Sequence, residues 1–276
     1  MRRTCLCIFV IIACLALSVG SLSAQSSVDK AWSTLQSGLA EKGDDRIVAI
    51  RVLGLLENNA KAAEIATAAL ADEKPEARAA AADALGQMHA KSAVPKLKEI
   101  IKTDKEPAVV IAAARSLIAL GDPLGYAVYY AVLTGEKKSG GGLLDDQKKM
   151  LKDPKKMAQF GFEQGIGFIP FASVGLGAFK ALTKDDSSPV RAAAARILAK
   201  DPDPKSGEAL IEASSDEKWL VRAAALDALS HRGDPSAIPA IESRLGDEKE
   251  EVRYAAAATI IHLQDVKSGV ADRKQQ

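Results

Sequence analysis

Apolar and alanine-rich segments alternate along the chain at the spacing of amphipathic helices. In one kind of segment, apolar side chains recur every three or four positions, as at Val94, Leu97 and Ile101, which predicts a helix with one buried stripe. In the other kind, alanine fills most positions, as in residues 78–85, Arg-Ala-Ala-Ala-Ala-Asp-Ala-Leu. The two kinds follow each other, so the pattern predicts pairs of helices: an alanine-rich first helix and an amphipathic second helix.

The alanine-rich segments recur at a fixed interval. Most contain an arginine that we use as a marker position, and the marker positions are Arg46, Arg78, Val110, Arg191, Arg222 and Arg253. The spacings are 32, 32, 81, 31 and 31 residues, so only the third interval breaks the period. A period near 31 residues is typical of stacked helical repeats, and we expect six of them.

Acidic or amide residues keep the same register. Six positions before the marker stand Asp72, Asp104, Asp185, Asp216 and Asp247. Twelve positions after it stand Asn58, Asp122, Asp203, Asp234 and Asp265. Because such side chains accept hydrogen bonds from free N–H groups at helix starts, we expect the second set to begin the second helices, including a short last one after Asp265.

The composition agrees with closely packed helices. The 276 residues include 50 alanines but only two tryptophans, four tyrosines and six phenylalanines. Small side chains let neighbouring helices approach closely, and a single helix pair of this kind cannot bury its apolar face alone. The sequence therefore predicts an all-α fold, a right-handed α-solenoid in which neighbouring helix pairs stack.

The repeats resemble a known family. Residues 216–229, Asp-Glu-Lys-Trp-Leu-Val-Arg-Ala-Ala-Ala-Leu-Asp-Ala-Leu, followed by Gly233-Asp234-Pro235, are similar to HEAT repeats, in particular the short HEAT-like repeats named after phycobilisome lyases. The resemblance covers residues 45–134 and about 185–270. It implies that the repeated Asp and Arg form a buried ladder between repeats. It implies no single function, because the family includes scaffolds, adaptors, bilin lyases and an iron-dependent hydroxylase.

The N-terminal residues have the layout of a signal peptide. Met1-Arg2-Arg3 is basic, residues 5–17 are apolar, and residues 18–24 are small and polar, which predicts cleavage near Ala24 and export to the periplasm or the medium. Ile11-Ile12-Ala13-Cys14 also resembles a lipobox, but apolar residues follow Cys14 where a polar tether is usual, so cleavage near Ala24 is favoured. We assign residues 1–24 to the signal peptide.

Removal of this segment takes away every cysteine. Cys5, Cys7 and Cys14 are the three cysteines of the chain, and the remaining residues are close to neutral. We therefore expect no disulfide, no thiol chemistry and no cysteine metal site in the mature protein. Without a basic excess, nucleic acid is not an expected partner.

Residues 25–44, with a helix carrying Trp32, are expected to cap the N-terminal end of the array.

An insertion at residues 135–184 separates repeats 1–3, at 45–134, from repeats 4–6, at 185–276. It contains a glycine triplet at 140–142, a charged stretch at 143–156, and five of the six phenylalanines between Phe160 and Phe179. One interpretation is a diverged repeat. Others are a loop that docks on a partner or on a second copy, or an element that contacts a membrane surface. The uncharged run of 16 residues from Gln164 to Phe179 is too short to span a membrane.

Candidate chemistry is sparse. His231 and His262 share a repeat position that other repeats fill with Gln87, Ala119 or Lys200, so we expect them to be exposed residues near helix ends. No zinc, phosphate-loop or nucleophile-elbow motif is present, and no histidine is followed by glutamate as in the related hydroxylase. We therefore predict no catalytic, cofactor-binding or metal-binding residue. An enzyme or cofactor-handling protein of the bilin-lyase or hydroxylase type stays open as an alternative.

Binding to another protein is the favoured function, and a few aromatic residues are its candidate contacts. Tyr126 and Tyr129 align with core positions of other repeats and are expected to be buried. Tyr130 aligns with Lys98 and Glu242 and is expected to face solvent. The candidate partner-binding residues are Tyr130, Trp219, Phe168 and Phe171. The sequence thus predicts an exported, noncatalytic scaffold with a protein partner, and peripheral membrane contact through the insertion as an alternative.

Overall fold

The computed structural model of the chain describes residues 27–134 and 188–269. The predictions for the signal peptide, Cys14, the insertion at 135–184 with Phe168 and Phe171, and the last residues of the chain lie outside these ranges. Within them, no helix combines the length and apolar character needed to cross a membrane.

The described residues form α-helices and short 3₁₀ turns. Helix α1 covers residues 27–40. The others of the N-terminal part are α2 Asp44–Val52, α3 Ala60–Ala69, α4 Pro75–Gln87, α5 Val94–Thr103, α6 Pro107–Ala119 and α7 Leu124–Thr134. Those of the C-terminal part are α8 Ser188–Leu198, α9 Pro204–Ala213, α10 Trp219–Arg232, α11 Ile238–Ile241 and α12 Glu250–Lys267. The 3₁₀ turn Leu53–Leu55 extends α2, and Glu242–Gly246 extends α11.

Helix starts follow the side chains that the register singles out. Asp203 accepts a hydrogen bond from Lys205 N at 2.9 Å at the start of α9, and Asp234 does the same for Ser236 N at 2.9 Å. In the first repeat the cap is Asn59, which accepts from Ala62 N at 2.9 Å. The expected residue, Asn58, instead has a positive φ of 57° and lies in the turn. The predicted capping residue of α3 was therefore wrong by one position, because Asn58 forms the turn that places Asn59 at the start of the helix.

The first helices pack side by side in a single row, but not in chain order. Helix α8 packs on α10, α10 on α12, α12 on α2, α2 on α4, and α4 on α6. The C-terminal three repeats therefore precede the N-terminal three in space, and the chain leaves the row at one end, after α7, and re-enters it at the other, at α8. The sequence pattern predicts the repeats but not this permuted order.

Helix α1 lies inside the array. Lys30 forms an ion pair with Glu242 beyond α11 at 3.7 Å, and the Nζ of Lys61 in α3 lies 3.8 Å from the centre of the Trp32 ring. A Cβ at Gly38 would collide with the ring of Tyr254 in α12, so the two helices are in close contact. Helix α1 thus fills the second layer between α11 and α3, where the sequence predicted a cap at one end.

The end of α12 differs from the sequence prediction, and the position of α1 gives the reason. Asp265 was expected to begin a short second helix, but α12 continues unbroken to Lys267. The second helix of the sixth repeat is missing from this stretch, and α1 takes its place. The two ends of the described chain together complete one helix pair in the middle of the row.

At the end of the row that α6 forms, the last helix is α7. Helix α7 packs directly on α6, and a Cβ at Gly125 would collide with the carbonyl oxygen of Ala114 and with Ile118. Because no described helix lies beyond α7, its outer face is open, and Tyr126 and Tyr129 are 66% and 37% exposed. The expectation that these two tyrosines are core residues was therefore wrong.

Candidate interaction surfaces

Ion pairs at the marker position join neighbouring repeats. The Nε of Arg78 donates to Asp104 at 2.6 Å, and Arg222 donates to Asp247 at 2.7 Å. Equivalent pairs join Arg46 to Asp72 and Arg191 to Asp216. Burial alone would raise the pKa of Asp104, but the hydrogen bonds and charge of Arg78 hold it below its ordinary value. This is the ladder that the family resemblance implied, and its role is structural.

A second charged row runs five residues after the marker position. In the N-terminal half it contains Arg51, Asp83 and Arg115, with Nη2 of Arg115 2.6 Å from both carboxylate oxygens of Asp83. In the C-terminal half the same positions hold Arg196, Asp227 and Ala258. The two halves therefore share an Arg–Asp pattern, and only the first half completes it with another arginine.

The two aspartates differ in their partners. Burial raises the pKa of Asp83, while the charge and hydrogen bonds of Arg115 act against the shift. Asp227 is only 4% exposed, and its Oδ1 has no hydrogen-bond partner among the described residues. Burial raises the pKa of this carboxyl too, with the charges of His231 and Arg196 acting in the opposite direction. Asp227 is thus a buried acid with electrostatic neighbours but weaker hydrogen bonding than Asp83.

A polar cluster forms where α10 and α12 meet the first repeat. His231 lies with Nε2 3.7 Å from Asp227 Oδ1 and with Nδ1 3.9 Å from Glu57 Oε1. Nearby, Asn59 Nδ2 donates to Asp265 Oδ2 at 2.6 Å. The cluster therefore consists of residues from both halves of the chain, and it exists only because the array is permuted.

The two histidines of this cluster differ in exposure. His231 is exposed, as expected, but His262 is 7% exposed, so the expectation that it lies on the surface was wrong. Burial lowers the pKa of His262, although the carboxylates of Glu57 and Asp265 act the other way. His262 is buried because it lies on α12, in the middle of the row.

The contacts of this polar cluster indicate a structural role. Within 27–134 and 188–269, no three or more His, Cys, Asp or Glu side chains are placed to hold a metal ion. The hydrogen bond between Asn59 and Asp265 and the contact between His231 and Glu57 link opposite halves of the chain, so the geometry supports a structural role at the junction.

Helix α7 carries the most prominent aromatic surface of the described chain. We call Tyr126, Tyr129 and Tyr130 the tyrosine face; Tyr130 is 59% exposed, as expected. The helix contains no charged residue. Tyr129 adjoins the Asp83–Arg115 pair, and burial raises its pKa. The tyrosine face therefore combines exposed aromatic rings with a neighbouring ion pair.

The other candidate residues have different surroundings. Trp219, at the start of α10, is half-buried and packs against the apolar core, so its ring is only partly accessible. Phe168 and Phe171 lie outside the described residues. The structure does not bring Trp219 together with Tyr130: the first lies on α10, next to the end helix α8, and the second lies on α7, at the opposite end of the row.

The fold defines the class of protein: an all-α solenoid of stacked helix pairs, with the outer faces of some helices exposed. The family model for HEAT repeats matches residues 33–124 and 177–261, and the chain belongs to the HEAT-repeat family. No curated protein matches the chain significantly.

Solved structures that align with most of the chain include two natural proteins. Human deoxyhypusine hydroxylase in complex with glycerol is 19% identical, with 89% of this chain and 99% of that chain covered and a TM-score of 0.32. The complex of CpcE and CpcF of phycocyanin lyase from Nostoc sp. PCC7120 is 23% identical, with 86% and 93% covered and a TM-score of 0.33. An engineered protein is 17% identical, with 86% and 97% covered and a TM-score of 0.29.

Proposed function

We propose that the mature protein is an exported, noncatalytic scaffold that binds another protein through the tyrosine face. One observation carries the proposal: three tyrosines are exposed on an uncharged helix at the end of the row. Terminal helices of stacked repeats ordinarily need a polar outer face to stay soluble. Tyrosine supplies a large contact area and a hydroxyl at low entropic cost, which suits a binding surface.

The rigid row supports this function. The Arg–Asp ladder and the alanine contacts hold the first helices in place, and α7, which carries the tyrosines, packs directly on α6, the last of them. Preorganisation of this kind reduces the entropic cost of association. Phe168 and Phe171 are proposed as additional contacts on the strength of the sequence, and Trp219 as a minor one because of its partial burial.

Affinity purification of the tagged protein from the cell envelope tests the proposal. The variant Tyr126→Ser with Tyr130→Ser is expected to weaken capture of a specific partner at least about 10-fold, the effect of losing an interface hot spot. A matched control is Lys96→Ser with Glu99→Ser, which removes an exposed ion pair on α5 and keeps the net charge. Equal partner recovery from both variants would refute the tyrosine face as the binding surface.

Export is tested separately. The mass of the mature chain is expected to correspond to a start at Gln25, and Cys14→Ser is expected to leave that mass and the location unchanged. A lipid-modified N-terminus at Cys14, or retention of residues 1–24, would contradict the proposal. The phenylalanine contacts are tested with Phe168→Asp and Phe171→Asp rather than by deletion, because residues 135–187 connect opposite ends of the row.

A further inference from the structure

The ladder of Arg–Asp ion pairs is interrupted at one interface of the row. Four marker arginines pair with the aspartate that precedes the next first helix, namely Arg46, Arg78, Arg191 and Arg222. For Arg253 on α12 the next first helix is α2, and the corresponding position holds Ala40. Arg253 donates instead to the carbonyls of Asp247 and Glu248 in its own repeat. The ladder therefore stops where α12 meets α2.

The second charged row is interrupted at the same place. In the spatial order of the helices it consists of Arg196, Asp227, Ala258, Arg51, Asp83 and Arg115. The charge of Arg196 acts on the carboxyl of Asp227. The charges of Arg115 and Arg51 act on that of Asp83. Because the uncharged Ala258 lies between these two groups, neither charged row of the described chain continues from α12 to α2.

Other contacts hold the two halves together at this junction. Asn59 Nδ2 donates to Asp265 Oδ2 at 2.6 Å, and His231 Nδ1 lies 3.9 Å from Glu57 Oε1. Helix α12 also packs on α2 and on the turn Leu53–Leu55 through apolar side chains. Histidine thus takes part in the polar contacts here, whereas arginine and aspartate form the ladder at the other interfaces.

His262 is the buried titratable residue of the junction. It is 7% exposed, and its Nδ1 is buried without a hydrogen-bond partner in the part of the chain that the structure describes. The charged groups that act on it come from three elements: Glu57 follows α2, Asp265 is on α12 itself, and His231 is on α10. Burial lowers the pKa of His262; the two carboxylates oppose this shift and a charged His231 adds to it. The closed junction therefore favours the neutral imidazole.

The ladder inside each half responds differently to mild acid. Burial acts to raise the pKa of Asp72, but its hydrogen bonds and the charge of Arg46 hold it below the ordinary value. The pKa of Asp104 is lowered in the same way by Arg78. These pairs keep their charges between about pH 7 and 5. In that range, opening of the junction exposes His262 and lets it take up a proton, so acid favours the open junction.

We propose that the junction between α12 and the first repeat is an acid-sensitive switch: below about pH 6 it is the interface of the row that opens first, while the repeats inside each half stay stacked. His262 is the proton acceptor, and its protonation opposes the burial on which the closed junction depends. Opening separates the C-terminal half from the N-terminal half and exposes the apolar faces of α12 and α2. The switch does not depend on the tyrosine face.

Pairs of cysteines labelled with pyrene test this proposal on the chain that begins at Gln25, which contains no cysteine of its own. Excimer emission requires contact between the two labels. Exposed residues stand fourteen positions after Arg46, Arg78 and Arg253, and they are Ala60, Ser92 and Lys267. The junction pair is Ala60→Cys with Lys267→Cys. The matched control is Ala60→Cys with Ser92→Cys, which reports on the interface between the first two repeats.

Urea titrations of both labelled pairs at pH 7.5 and pH 5.5 give the result. At pH 7.5 the two excimer signals are expected to disappear at the same urea concentration. At pH 5.5 the midpoint of the junction pair is expected to lie at least about 0.5 M below that of the control pair, the shift that one coupled proton produces over about one pH unit. Coincident midpoints at pH 5.5 would overturn the proposal.

The variant His262→Gln tests the proton acceptor in the same labelled chains. Gln87 holds this register position in α4, so glutamine is compatible with a first helix there. The variant is expected to bring the two midpoints together at pH 5.5. The control His231→Gln changes an exposed histidine and is expected to keep most of the separation. A separation that persists unchanged in His262→Gln would refute the role of His262, and the unsubstituted chain locates the opening independently of this variant.

Discussion

Asn59 and Asp265 are 206 positions apart in sequence, and the side chain of the first donates a hydrogen bond of 2.6 Å to that of the second. The same asparagine caps α3 through its oxygen. One side chain therefore closes a helix end and also joins the two halves of the chain, which makes the junction between α12 and the first repeat accessible to mutational tests.

Replacement of Asn59 is expected to cost more stability than replacement of Asp265. Asn59→Ala removes a helix cap, worth about 1 kcal/mol, together with a hydrogen bond to a carboxylate, worth about 1.5 kcal/mol or more. Asp265→Ala removes only the second. Urea denaturation of the two single variants and the double variant gives the coupling energy. Asp203→Ala, which removes a comparable cap from α9 away from the junction, is the control, and zero coupling between Asn59 and Asp265 would contradict the contact.

The permuted order predicts how rearranged chains fold. A chain made of residues 188–269, a short flexible linker and residues 27–134 is expected to fold as a monomer with one cooperative transition. In the original order, a ten-residue linker in place of 135–187 reaches at most about 36 Å, whereas the outer helices of the row lie about 40–50 Å apart along it. That chain is expected to exchange halves and dimerise. Light scattering distinguishes the two, and a stable monomer in both orders would show that the ends of the row lie close together.

Replacement of Asp83 and of Asp227 by neutral asparagine is expected to have different effects on the free energy of unfolding. Asp83→Asn breaks the bidentate pair with Arg115 and leaves a half-buried cation, so we expect a loss of about 3 kcal/mol. Asp227→Asn removes a buried charge that lacks a hydrogen bond on Oδ1, so it is expected to be neutral or stabilising. Chemical denaturation at pH 7 measures both. Similar losses for the two variants would mean that Asp227 is as well paired as Asp83.

The buried histidine predicts a loss of stability in mild acid. Because burial holds the pKa of His262 below its ordinary value, the unfolded chain binds the proton more readily than the folded chain. Stability is therefore expected to fall as the pH drops from 7 through about 6.5 and on to the lower folded-state value. The raised pKa of Asp227 acts in the opposite sense, since its contribution is present at low pH and is lost as the pH rises.

Thermal unfolding from pH 5 to pH 7.5 checks this dependence. His262→Gln is expected to flatten the acid side of the profile. The control His89→Gln removes an exposed histidine outside the junction and is expected to leave the profile as it is. An unchanged slope in His262→Gln would assign the acid sensitivity to other groups.

The sequence predicted the features that depend on a local pattern of residues. Marker arginines form ion pairs with the aspartate that stands six positions before the next marker, because the distance between the two is fixed by one repeat length. The helix pairs and most capping residues follow for the same reason. Tyr130 was placed correctly on the surface, since its register position is exposed whatever lies beyond the helix.

The order of the repeats was not predictable from the same pattern. Most of the first helices are alanine-rich and nearly equivalent, so nothing local decides which of them are neighbours. This is why the junction cluster and the burial of His262 were missed, and why Tyr126 and Tyr129 were misassigned. One signal was present: among the described residues, α1 with Trp32, Leu35 and Leu39 has no first helix before it, and α12 has no second helix after it. Helices α1 and α12 together make one helix pair.

The ends of the described chain lie in the middle of the row, and its outermost helices belong to the middle of the sequence. In stacked repeat proteins local opening begins at the outermost repeats, which have a neighbour on one side only. Amide hydrogen exchange is accordingly expected to be fastest in α6 to α9 and slowest in α12, α1 and α2. For this protein, fraying begins in the middle of the sequence, and Arg253 and Trp32, near the two termini, belong to the part that opens last.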